Sequence, residues 1–198
     1  MADLFYTIAS PAEAQYTDKR SKFLAFAYPV STAEEAKARV AELQKRYYDA
    51  RHVCWAYMLG SARNDFLSND NGEPSGTAGK PILGQINSLG LTNVAVAVVR
   101  YFGGIKLGTS GLIVAYRTAA RMALEAAETI ERHDMAQITF HFPYMSMNAA
   151  MKLTKDFEVD IVDRSFDNTC CLTLEIRADL ASRLRDRISE IDGATISE

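Results

Sequence analysis

Six consecutive apolar residues, Val94 to Val99 (VAVAVV), show no polar alternation. A β-branched run of this kind predicts a strand covered on both faces. Arg100 would then stand where the strand surfaces. Tyr101 to Gly111 (YFGGIKLGTSG) reads as a glycine loop opening onto a helix at Leu112, with Ser110 in position to cap it. Upstream, Lys22 to Tyr28 reads as a strand, and Ser31 to Tyr48 as an amphipathic helix with Ser31 and Glu34 at capping-box spacing. His52 to Leu59 is the next strand, with Val53, Trp55, Tyr57 and Leu59 on one face. Gly60 to Lys80 is polar and centred on Asn71-Gly72, a hairpin-turn dipeptide. Pro81 to Leu89 reads as a short helix with Pro81 in its first turn. The long helix runs from Leu112 to about Ile130, with Tyr116, Ala120, Ala123 and Ala127 as its packing stripe.

Beyond the charged connector Glu131 to Asp134, the pattern changes. Ile138, Phe140, Phe142 and Tyr144 alternate with Gln137, Thr139, His141 and Pro143, which predicts a strand with one buried face. Helix (Ser146 to Phe157), strand (Val159 to Phe166), a turn at Asp167-Asn168, strand (Cys170 to Ile176), helix (Asp179 to Ile191) and a terminal strand near Ala194 to Ser197 follow. The order βαββαβ is that of a ferredoxin-like domain. The expected division is 1–133 and 134–198, in an α+β chain without internal repeats.

Charge sharpens that division. Residues 1–133 hold 15 Lys/Arg against 13 Asp/Glu, and residues 134–198 hold 7 against 12, within a net charge of −3. A strongly basic nucleic-acid module is excluded, so phosphate binding falls to a local cluster in the first half. With 198 residues, 48% of them hydrophobic, the chain can bury one medium core or two small ones. The absence of a membrane-length apolar run or a secretory signal predicts a cytoplasmic protein. Three cysteines, two of them adjacent at Cys170 and Cys171, exclude a disulfide framework and a CxxC motif. No cofactor or metal is expected.

The candidate chemistry lies on three segments. Gly72 to Pro81 is not a Walker loop, because Pro74 occupies the first glycine position and Pro81 follows Lys80 where a hydroxyl is required. The glycines after Phe102 do not fit G-x-G-x-x-G. What remains is a set of basic residues in or beside glycine loops: Arg51, Lys80, Arg100 and Lys106. Tyr101 adds aromatic surface with Phe102, and Gly103, Gly104 and Gly108 allow close backbone approach. This mixture suits RNA or a phosphorylated ligand. The plainer reading gives Arg100 an ion pair with Glu73 or Asp70, buries Phe102 and makes the loop a structural turn. His52 and Cys54 share a strand face, but residues two apart stand about 7 Å apart; Cys54 reads as a small core residue. Glu73 and His52 are the candidate acid and base.

Three segments carry a family resemblance: ARHVCWAYMLG (Ala50 to Gly60), NDNGEPSGTAGKPIL (Asn69 to Leu83) and VVRYFGGIKLGTSGLIVAY (Val98 to Tyr116), with SKFLAFAYPV (Ser21 to Val30) upstream. Together they resemble the bacterial YigZ and eukaryotic IMPACT family over nearly the whole chain. The resemblance implies a ribosomal-protein-S5 domain-2-like first domain and a ferredoxin-like second domain similar to a C-terminal domain of translation elongation factor G. Eukaryotic members carry an added N-terminal domain and restrain an amino-acid-starvation kinase by competing for its ribosome-bound activator. Bacterial relatives usually have Asp at Asn71, Gly at Ser110 and a basic residue at Val114; these departures reduce the polar equipment of the site. The function expected is a non-enzymatic, translation-associated binder of ribosome, RNA or a translation factor through the Gly-Lys loops. The alternative is an enzyme acting on a small phosphorylated or nucleotide-like substrate.

Overall fold

The computed structural model describes residues 4–167 and 169–197. They fall into two compact units, one of residues 5–132 and one that groups residue 4 with the described residues from 133 to 197.

The first unit begins with β1 (Leu4–Ile8) and β2 (Ala12–Asp18), two strands that sequence patterning left unassigned. β1 is only five residues long, and β2 mixes polar and apolar residues at the edge of its sheet. The remaining elements are β3 (Ser21–Pro29), α1 (Ala33–Arg46), β4 (His52–Leu59), β5 (Asp65–Asn69), α2 (Gly79–Ser88), β6 (Val94–Tyr101), α3 (Gly108–Ala126) and β7 (Thr129–His133). The five-stranded sheet has the order β2-β3-β6-β4-β5, and β1 pairs with β7 in a separate ribbon. Because β3 and β4 both run antiparallel to β6, they are parallel to one another and bracket it. The intervening α1 makes a split βαβ unit.

Both faces of this sheet are covered, as the unalternating β6 predicts. On one face Ala36, Val40 and Leu43 of α1 pack on Phe26, Trp55, Tyr57, Ala97 and Val99. On the other, α2 and α3 bring Ile82, Ile86, Tyr116, Ala120 and Ala123 onto Phe23, Cys54, Ala56, Val96 and Val98. The α1 cap lies one residue later than expected: Thr32 accepts from the Glu35 N–H at 3.1 Å, and the Glu35 carboxylate accepts from the Ser31 N–H at 2.9 Å. The long polar segment from Gly60 to Lys80 contains edge strand β5, and the last residues of the expected long helix form β7. Short exposed strands carry too few apolar residues to show their period.

The second unit contains β8 (Met135–Phe142), α4 (Met147–Asp156), β9 (Asp160–Phe166), β10 (Cys170–Arg177), α5 (Ala181–Ser189) and β11 (Thr195–Ile196). Its sheet order is β11-β8-β10-β9, with every described pairing antiparallel. This is the ferredoxin-like arrangement. Ile138, Phe140 and Phe142 are buried under α4 and α5 with Leu172, Leu174, Leu153 and Leu184. Tyr144 departs from the expected stripe. Pro143 ends the strand, and Tyr144 enters a 3₁₀ turn with 74% of its surface exposed. Asn168 of the expected turn lies outside the described residues.

Candidate functional site

β6 carries Arg100 on the face of Val96 and Val98, opposite Phe23 on β3 and His52 on β4. It does not surface there: Arg100 is only 7% exposed. A guanidinium removed from water requires a counter-charge. Glu73 supplies it, with Arg100 Nη1 donating to Glu73 Oε1 at 2.6 Å. The Tyr116 hydroxyl donates to the same oxygen at 2.7 Å. Arg100 also lies 5.6 Å from the centre of the Phe23 ring and 5.7 Å from that of Phe102.

Beneath this pair, Cys54 Sγ is 2.9 Å from the Asp70 carbonyl and 3.4 Å from the Tyr116 hydroxyl. Burial pushes the Cys54 thiol up to about 12 despite the Tyr116 contact. Burial, reinforced by Cys54 and Glu73, raises the Tyr116 phenol as well. Both groups therefore stay protonated at neutral pH and serve the network as neutral donors. The role of Tyr116 was invisible in its helical spacing, because the stripe that buries an apolar residue buries a phenol equally well. Glu73 and Arg100 were paired in one reading of the sequence; Tyr116 completes the set.

The loop after β5 is held from within. The Asp70 carboxylate accepts from the N–H groups of Gly76 (2.8 Å), Ala78 (3.0 Å) and Gly79 (2.8 Å), capping α2 from outside the helix. Partial burial opposes ionisation of Asp70, but those three donors and nearby Lys80 outweigh it and hold its pKa below the usual value. Asn71, at φ 43°, works through two groups: its Oδ1 accepts from the Val53 N–H at 2.9 Å, and its carbonyl lies 2.8 Å from His52 Nδ1. A carbonyl only accepts, so the His52 proton sits on Nδ1 and Nε2 is the acceptor of the neutral ring.

α3 begins at Gly108, four residues earlier than expected. Ser110 lies inside the helix, and no side chain caps its start. Gly108 reaches this position at φ +71°, a conformation that favours glycine. A pocket of about 390 Å³ opens at this helix start. Arg51, His52, Glu73, Arg100, Lys106 and Gly108 lie in its wall with Pro74, Phe102, Leu107, Thr109 and Leu112.

Other expected members lie elsewhere. Lys80 is exposed in the first turn of α2, beside Asp70, and is not in the pocket wall. Tyr101 points to the α1 face, where its hydroxyl donates to Asp49 at 2.7 Å; that bond, with burial, moves the phenol to about 12. Gly103 packs against the turn between β2 and β3, where a Cβ would collide with the backbone of Arg20 and Ser21. Gly104, at φ +86°, shapes the same loop. Of the expected basic set, Arg51, Arg100 and Lys106 line one pocket, whereas Lys80 is separate and Arg100 is paired with Glu73. Phe102 is exposed over 55% of its surface, contrary to the reading that buried it.

Residues 19–124, which contain every pocket residue, match the Impact N-terminal domain. The chain belongs to the IMPACT family. An IMPACT family member from Haemophilus influenzae is 32% identical over 160 residues, covering 80% of this chain and 78% of its own. IMPACT family member YigZ of Escherichia coli is 28% identical over 190 residues, 95% of this chain and 93% of its own. A crystal structure described as that of a hypothetical protein superposes with a TM-score of 0.78 at 26% identity, covering 99% of this chain and 97% of that one. The IMPACT-family fold here is α+β, an S5 domain-2-like unit followed by a ferredoxin-like one. Among the described residues, no helix is long and apolar enough to cross a membrane.

Proposed function

We propose that this protein is a translation-associated binder that takes an RNA or ribosomal phosphate at the pocket of its first unit. One observation carries the reading: Arg51, Lys106 and the uncapped start of α3 meet in a single concavity, with Phe102 exposed beside them. Both cations are exposed, and neither is held in an ion pair among the described residues. Backbone N–H groups at a helix start favour an anion, and an aromatic surface favours an unstacked base. The resemblance of the surrounding segments to eukaryotic IMPACT points this binding toward translation. The second half of the chain, with 7 Lys/Arg against 12 Asp/Glu, is the more acidic, and its role is assigned to contact with a basic protein.

Co-sedimentation with ribosomes at stepped salt tests this reading. Wild type is expected to bind at low salt and to dissociate steeply as salt rises. An Arg51→Ala/Lys106→Ala variant should bind more weakly and with a shallower salt dependence, by up to about two in the logarithmic slope. Absence of ribosome association at low salt overturns the reading.

A second reading is supported by His52, whose Nδ1–H···O=C bond to Asn71 leaves Nε2 as an acceptor in the same wall as Glu73. That arrangement suits a general base acting on a small phosphorylated substrate. It predicts that His52→Gln abolishes turnover while ligand affinity survives.

A further inference from the structure

We infer that the pocket receives the end of a nucleotide chain, a nucleoside bearing a phosphate monoester, rather than an internal stretch of RNA backbone. This rests on the phosphate-binding reading above and assigns the chemical form of the ligand.

Charge gives the first reason. The permanently charged groups of the pocket wall are three cations, Arg51, Arg100 and Lys106, and one carboxylate, Glu73. The surplus is two positive charges. A phosphate monoester, with a second pKa near about 6, is close to dianionic at neutral pH. An internal phosphodiester carries one negative charge and would leave one of the two exposed cations unmatched.

Hydrogen-bonding capacity gives the second. Arg100 is more than nine-tenths buried in the pocket wall, and its Nε–H has no partner. Its Nη1 is held by Glu73 and its Nε is covered, so Arg100 gives the wall charge, and the donors open to a ligand are those of Arg51, Lys106 and the helix start. In the same wall, Gly108 and Thr109 open α3 without a side-chain cap. A terminal phosphate has three free oxygens for such donors, where a diester has two.

The rest of the wall recognises a nucleoside. Both contacts to Glu73 fall on Oε1, and neither uses its other carboxylate oxygen. That oxygen and His52 Nε2 are acceptors, suited to the hydroxyl donors of a ribose. Phe102 is exposed and offers a ring face for a base, with Leu107 and Leu112 as apolar neighbours. A volume of about 390 Å³ lies at the small end of the range for ligand pockets and suits one nucleotide. Free mononucleotides and phosphorylated RNA ends share this chemistry.

The test is fluorescence anisotropy of the full chain with one short labelled single-stranded RNA, prepared with a 5′-phosphate, with a 3′-phosphate, or with hydroxyls at both ends. At least one phosphorylated form is expected to bind about tenfold or more tightly than the hydroxyl form. The difference should disappear in Arg51→Ala/Lys106→Ala, both exposed positions whose replacement leaves the core intact. Competition then separates the sources. A nucleoside monophosphate that displaces the phosphorylated RNA at equal concentration identifies a free metabolite as a sufficient ligand; displacement only by phosphorylated RNA identifies the RNA end, and either result supports the inference. Equal binding of all three RNAs overturns it. So does displacement by inorganic phosphate as effective as by the nucleotide, since the base contact would then be idle. Should ribosome co-sedimentation persist while the terminal phosphate makes no difference, the inference fails and the broader binding reading stands.

Discussion

The two sheets of this protein solve burial in opposite ways. In β6, every residue from Val94 to Arg100 is buried because helices cover both faces. In β10, Cys170, Leu172, Leu174 and Ile176 are buried, whereas Cys171, Thr173 and Glu175 retain partial exposure on the face that α4 and α5 leave uncovered. A polar residue on the second sheet needs no partner, since water supplies one. On β6 it must be paired, and the one charge of that strand, Arg100, donates to Glu73 Oε1, which also accepts from Tyr116. The two-sided sheet thus concentrates its polar chemistry at one strand end, where the pocket opens. The one-sided sheet spreads its polar groups over a surface.

The contrast breaks most sharply at Glu73. Glu73→Ala strands a buried guanidinium and is expected to lower unfolding stability by about 3–5 kcal/mol, read by urea denaturation. A loss below about 1 kcal/mol would show that Arg100 reaches water and that the pair is not a buried one. The Gly103→Ala substitution forces a methyl against the turn between β2 and β3, and should cost about 1–3 kcal/mol in the same assay.

Asp70→Asn should cost about 2 kcal/mol at neutral pH by weakening three charge-assisted bonds to the start of α2. The folded pKa of Asp70 lies below its unfolded value near about 3.9. Its contribution is therefore complete above that value and is lost as pH falls through the folded pKa. Wild type should lose more stability than Asp70→Asn on acidification from about pH 5 to about pH 3. Parallel losses would remove Asp70 from the account.

Thiol chemistry compares the sheets directly. Cys54, buried and raised to about 12, is expected to resist a disulfide reagent at about pH 8 until the protein unfolds, whereas half-buried Cys171 reacts in the native state. Rapid native labelling of Cys54 would show that the floor of the two-sided sheet opens. The smallest effect belongs to the second sheet: Glu175→Gln, which alters an exposed contact with Gln137, should change stability by less than about 0.5 kcal/mol.

The apolar patterns by themselves determined much of the protein. Unbroken Val94 to Val99 required a strand covered on both faces, and the alternation from Gln137 to Phe142 required one covered on a single face, because burial selects side chains by the face they occupy. The segments around Arg51, Glu73 and Lys106 also marked where the chemistry would lie. Only the tertiary structure decided how those residues meet. It turned Arg100 inward to Glu73, recruited Tyr116 from a stripe that otherwise reads as packing, sent Tyr101 to the opposite face, and placed Lys80 on another helix start. It also began α3 early enough for its N–H groups to open onto the pocket. These outcomes depend on contacts between residues 27 to 62 positions apart, and local propensity carries no information about which distant partner will satisfy a buried charge.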